Sequence, residues 1–169
     1  MPETRVEIEH LPQSVEEFVA LRDRLARTPE GGAAMMVVAL LLYAESEALG
    51  GPCLAVAAES SRLQEGPNGH RGWELCSTDL NLIRSQIGQR PYIVRSYLDG
   101  ATPENGYALR GESCILHISR NAYSGAEESG RCKVFVACSG ADSPRPVMLA
   151  RNDRGIWKAA EWSSLLVGV

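Results

Sequence analysis

The sequence predicts an α+β domain, with N-terminal helices packed on a C-terminal, mostly antiparallel β-meander of about five strands. Three observations predict it. Helix-initiating side chains precede apolar residues at helical spacing through the first half. Short β-branched and aromatic runs fill the second half. Turn residues separate those runs, and helices followed by consecutive strands make an α+β arrangement. The chain has 169 residues, which suits one domain over 1–169.

The first stretch, 1–13, is polar and charged and is expected to be a loosely ordered segment. Ser14 followed by Glu17 forms a capping box, and Phe18, Leu21 and Leu25 behind it share a helical face. Thr28 and Pro29 restart the chain as cap and first helical residue, with Glu30 at the positive end of the dipole. That second helix is expected to run to Ala48 and to stop at Gly50, Gly51 and Pro52. Apolar residues surround its axis from Met35 to Tyr43, so it is expected to be buried on all sides. "CLAVAAESSRL" reads as a third helix and "EGPNGHRG" (65–72) as a loop. Ser77 or Thr78 caps a further short helix with Leu80, Ile83 and Ile87 as its buried stripe and Gly88 as its stop. Strands are expected at 91–98, 113–119, 132–138, 146–151 and 155–162. "NDRG" (152–155) makes a tight hairpin turn between the last two. Trp157 and Trp162, five apart on one strand, are expected to face opposite sides, one buried and one exposed.

Composition narrows the function classes. Hydrophobic residues make up 44% and charged residues 22%, as in ordinary globular proteins. Such a chain buries roughly 70% of its unfolded surface and needs no metal or disulfide staple. Net charge is −4 with the basic residues scattered, which argues against nucleic acid as a partner. There are fifteen arginines and only two lysines, Lys133 and Lys158. The most apolar stretch, 33–44, would rise about 18 Å as a helix, short of the roughly 30 Å hydrocarbon core, so no membrane partner is expected. The five cysteines form no C-x-x-C pair and no His cluster, so no metal site is expected. With no basic-then-apolar leader at the start, a cytoplasmic location and free thiols are expected. Neither a phosphate loop nor a dinucleotide fingerprint occurs, and no cofactor is implied.

The remaining chemistry concentrates in two loops. In a meander, "DGATPENG" (99–106) and "SGADSPRP" (139–146) leave the sheet at one end, together with the segment after Trp162. That end collects Asp99, Glu104, Asn105, Asp142, Ser143 and Arg145 as candidate binding residues. Asp142 is expected to accept local backbone N–H groups, and Arg145 to tie the loop to a neighbour or to grip an anion. Ser143 lacks a G-x-S-x-G elbow, and Cys138 lacks a base nearby in sequence. His117 reads as a sheet-face residue. No catalytic constellation is complete.

"TPEGGAAMMVVALLLYAE", "PYIVRSYLDGATPENGY" and "SGADSPRPV" together resemble an uncharacterised bacterial family, a domain of unknown function, over roughly Ser14 to Trp162. The resemblance implies a soluble bacterial domain and carries no activity, cofactor or catalytic residue. The resulting expectation is a non-catalytic binding or protein-interaction module using loops 99–106 and 139–146. Its partner would be a protein or a small anionic ligand. The alternative is a small enzyme or ligand-binding protein with a pocket between the helices and a curved sheet.

Overall fold

A computed structural model describes residues 3–109, 111 and 113–169. Helix α1 (Val15–Leu25) begins where Ser14 Oγ accepts the Glu17 N–H at 3.1 Å. Helix α2 (Pro29–Glu45) begins the same way, with Thr28 Oγ1 accepting Gly31 N–H at 3.1 Å. Residues 29–43 are all buried, so α2 is the central rod of the fold. Helix α1 and helix α3 (Glu47–Ala57) pack beside it, and a five-stranded sheet covers its other side.

The sheet consists of β1 (Glu3–Ile8), β4 (Cys114–Ser119), β5 (Arg131–Val136), β6 (Arg145–Arg151) and β7 (Trp157–Glu161), in that order. Every neighbouring pair is antiparallel. Leu116, Ile118, Val134, Val136, Val147 and Leu149 alternate onto the helix side and are at most 1% exposed. At the β6–β7 turn, Gly155 takes a φ of 79°, which the tight connection requires. A separate antiparallel ribbon, β2 (Leu63–His70) and β3 (Trp73–Leu75), lies against α3. Helix α4 (Ser77–Gln89) follows, then a 3-10 helix (Pro91–Tyr97). No helix among the described residues is long and apolar enough to cross a membrane.

The fold class is the expected one, but five local expectations are overturned. Residues 91–98 are not a strand. Pro91–Tyr97 forms a 3-10 helix whose Ile93, Val94, Ser96 and Tyr97 are buried, a pattern that does not follow a strand's alternation, and Tyr97 Oη donates to Leu165 O at 2.7 Å. The missing strand comes from the N-terminus. Residues expected to be loose pair with β4 from Glu3↔Ser119 to Ile8↔Cys114, because Val6 and Ile8 alternate into the core. The glycine pair at Gly50 and Gly51 does not end a helix. The break falls at Ser46, which caps α3, and Gly50 sits inside α3 where a Cβ would lie 2.1 Å from Tyr43 Cα. The glycine is there for close helix crossing. Residues 65–72 join a ribbon rather than a loop, since backbone pairing needs no apolar pattern. Finally, Trp157 and Trp162 are both 2% exposed. Strand β7 ends at Glu161, and the backbone turn there swings Trp162 inward under the Arg62 guanidinium, 5.0 Å from its ring.

Candidate functional site

The antiparallel register decides what meets at each end of the sheet. Ile8 at the exit of β1 faces Cys114 at the entry of β4, and Val136 at the exit of β5 faces Arg145 at the entry of β6. The segments 9–13, 99–109, 137–144 and 162–169 therefore share one end, with Gly111 beside them. The two loops touch there. Ser139 N–H donates to Ser96 O at 2.7 Å, and Tyr107 Oη donates to Ser139 O at 3.3 Å. Tyr92 stacks on Tyr107 with ring centroids 5.5 Å apart.

Two of the six nominated residues use their polar groups inside the protein. Asn105 Oδ1 accepts Thr102 and Ala108 N–H at 3.0 and 3.2 Å, and its Nδ2 donates to Gly100 O at 2.7 Å. Arg145 Nε and Nη2 both donate to Gly168 O, at 3.1 and 2.6 Å, tying loop 139–146 to the last segment. The other four face solvent. Asp99 lies 3.7 Å from His117 Nε2, whose Nδ1 is 2.9 Å from Glu3. Glu104, Asp142 and Ser143 are exposed. Asp142 accepts no hydrogen bond among the described residues, so the expected local cap is not formed and the loop is held by Ser139 and Arg145 instead. Asp99, Glu104 and Asp142 do not join a potential metal-ligating group among the described residues.

A hollow at this end is lined by none of the six. It measures 750 Å³ and lies between the β1 exit, the α2–α3 junction and the β4 entry. Leu11, Leu42, Leu49 and Leu109 give it apolar walls, and His10, Gln13, Glu45 and Ser46 give it polar edges. Hollows of 260 and 160 Å³ adjoin it, sharing His10 and Pro12 with the first and Leu11, Glu45 and Leu109 with the second. Their lining comes from segments some thirty to seventy residues apart, with no local signal beyond isolated leucines.

Two reactive side chains, His10 and Cys114, line this hollow. Burial pushes the Cys114 thiol up, which favours the protonated thiol over the nucleophilic thiolate. The five cysteines are all free. A second cleft of 540 Å³ lies between α3, the β2–β3 ribbon and α4. There Tyr43 Oη donates to Glu47 Oε1 at 2.6 Å, and Arg84 Nε and Nη2 reach the same oxygen at 3.1 and 3.0 Å. Burial first, then the Glu47 carboxylate, pushes the Tyr43 phenol up to about 12, and the three side chains link α2, α3 and α4.

No curated protein and no solved structure matches the chain. A family model matches residues 10–169, which spans the helices, the ribbon and every strand except β1. The chain belongs to the family described as Domain of unknown function (DUF6935).

Proposed function

We propose that the domain is a non-catalytic protein-interaction module that holds an extended amphipathic segment of a partner at the β1-exit end of the sheet. The carrying observation is the run of three adjoining hollows of 750, 260 and 160 Å³ around Leu11 and Pro12. An extended chain can fill such a row of hollows with alternate side chains. Apolar walls with polar edges suit an amphipathic segment, and Leu109, 38% exposed, offers an anchor at the rim. Asp99, Glu104, Asp142 and Ser143 supply polar contacts on the flanking loops, and Asn105 and Arg145 keep those loops in shape. The protonated Cys114 thiol supports binding over nucleophilic catalysis.

A selection from a library of extended peptides tests this. Selected peptides should shift amide resonances in 9–13 and 42–49 and at Leu109, Gly111 and Cys114, and Leu109→Glu should weaken them about tenfold or more. Binders that ignore Leu109→Glu, or chemical turnover of any peptide, would overturn the reading.

A further inference from the structure

The two edges of the sheet differ. At β7 the edge is covered: Ala159 bridges to Ala58 in parallel, and Glu59 N–H donates to Ala159 O at 2.8 Å. At β1 no main-chain partner among the described residues lies on the side away from β4. The strand pairs with β4 in unbroken register from Glu3 to Ile8, so it has no bulge, and it holds no proline and no lysine. Val6 and Ile8 turn into the core, and Glu3, Arg5 and Glu7 are exposed. Natural sheets guard an open edge with bulges, prolines, lysines or inward charges. Strand β1 has none of these, and its outward charges alternate in sign instead.

The ladder decides which main-chain groups of β1 are free. His117 O accepts Ala137 N–H at 2.9 Å, just past β5, and Ile115 O accepts Asp99 N–H at 2.8 Å, so both carbonyls turn away from β1. Facing residues of an antiparallel pair exchange both hydrogen bonds or neither. Arg5 faces His117 and Glu7 faces Ile115, so the N–H and C=O groups of Arg5 and Glu7 point to the open edge.

We infer that this edge pairs with the same edge of a second copy of the chain, antiparallel and centred on Val6, making a two-fold dimer with one continuous sheet. Only residues whose main chain points outward exchange bonds across the seam, so odd-numbered residues face odd-numbered ones. Centred on Val6, Arg5 of each copy faces Glu7 of the other, and Thr4 faces Ile8. Opposite charges then sit directly opposite on the solvent side, and β-branched side chains meet on the helix side. The exposed ion pair that Arg5 and Glu7 make within one strand, at 3.0 Å, is exchanged for two across the seam. Other registers fit worse. Centred on Arg5, the pairing sets Arg5 against Arg5 and Glu3 against Glu7. Centred on Glu7, it sets Glu7 against Glu7, and like charges directly opposite are destabilising. Centred on Thr4, it uses only residues 3–5 and competes for Glu3 with His117, which lies 2.9 Å from it. In the Val6 register the like pair, Glu3 and Glu9, falls past the end of the strand. A seam of one strand pair is small, so the dimer is a weak one.

Sedimentation velocity of the intact chain from about 1 to 500 μM should show monomer passing reversibly to dimer. Arg5→Glu and Glu7→Arg should each weaken the dimer about tenfold or more, because each sets like charges opposite and the two-fold axis counts the change twice. Both side chains are exposed, so neither variant loses core contacts. An equimolar mixture of the two variants should recover dimer at close to wild-type strength, since the two acids of one chain then face the two arginines of the other. The mixture restores no ion pair within either strand, so the recovery reads the seam alone. A wild type that stays monomeric throughout would overturn the second copy as occupant and leave the edge to a different extended partner. A dimer indifferent to both substitutions, or a mixture no stronger than either variant alone, would overturn this seam and its register.

Discussion

At the scale of single residues, the two loops divide labour differently from what their composition suggests. Asp142 has the short acceptor that turns favour, yet it points to solvent. Arg145 three residues on makes the anchoring contact, giving both forks to one carbonyl, Gly168 O. Asp142→Ala should therefore leave stability within about 0.5 kcal/mol. Arg145→Ala should cost about 1–2 kcal/mol, since a partly buried carbonyl loses two charged donors. Paired thermal melts read both. A stable Arg145→Ala protein would show that loop 139–146 is held by Ser139 and Tyr107 alone.

At the scale of elements, the α2–α3 pair sets the packing. Helix α2 is apolar on every face, so it can exist only with neighbours around it. Leu40, 1% exposed, should cost about 2–5 kcal/mol as Leu40→Ala. Gly50→Ala tests a different term, because the new methyl would meet the Tyr43 backbone at 2.1 Å and push the helices apart. Overpacking of that kind costs about 1–3 kcal/mol. Urea midpoints decide both. A neutral Gly50→Ala would mean that the crossing relaxes freely and that the glycine is not what sets it. The reading of Gly50 and Gly51 as a helix stop failed here because glycine serves two purposes. A stop and a close crossing leave the same letters in the sequence, and only the partner helix tells them apart.

At the scale of the whole molecule, one ion-pair cluster fastens the helix layer to the far end of the sheet. Glu30, in the first turn of α2 and 7% exposed, receives Arg120 Nε and Nη2, and Arg120 also reaches Glu127 at 2.9 Å. Burial alone would raise the Glu30 carboxyl, but the Arg120 hydrogen bond and charge, with a backbone donor, hold it below its ordinary 4.5. A carboxyl lowered in the folded state binds fewer protons there than in the unfolded chain. Its stabilisation is thus complete above about pH 4.5 and is lost as pH falls through the lower folded value. The urea midpoint of the wild type should fall more steeply than that of Glu30→Gln as pH drops from 5 to 3 on the order of one unit steps. Arg120→Ala should cost about 3 kcal/mol at pH 7, because it strands a buried carboxylate. Parallel acid limbs for the wild type and Glu30→Gln would show that other carboxyls carry the acid response.

The sequence by itself determined the fold class, the caps at Ser14 and Thr28, the buried α2 rod and four of the five sheet strands. Those features rest on local chemistry: a hydroxyl three residues before an N–H, an apolar run around a helix, alternation along a strand. Tertiary structure decided the rest. It turned 91–98 into a helix by giving Tyr97 a partner at Leu165, and it made Glu3–Ile8 a strand by offering the free edge of β4. It also assembled the groove at Leu11, Leu42, Leu49 and Leu109 from three distant segments. Edge pairing and cavity lining depend on which surface is left open once the other elements are docked, and that information is not written at any one position of the chain.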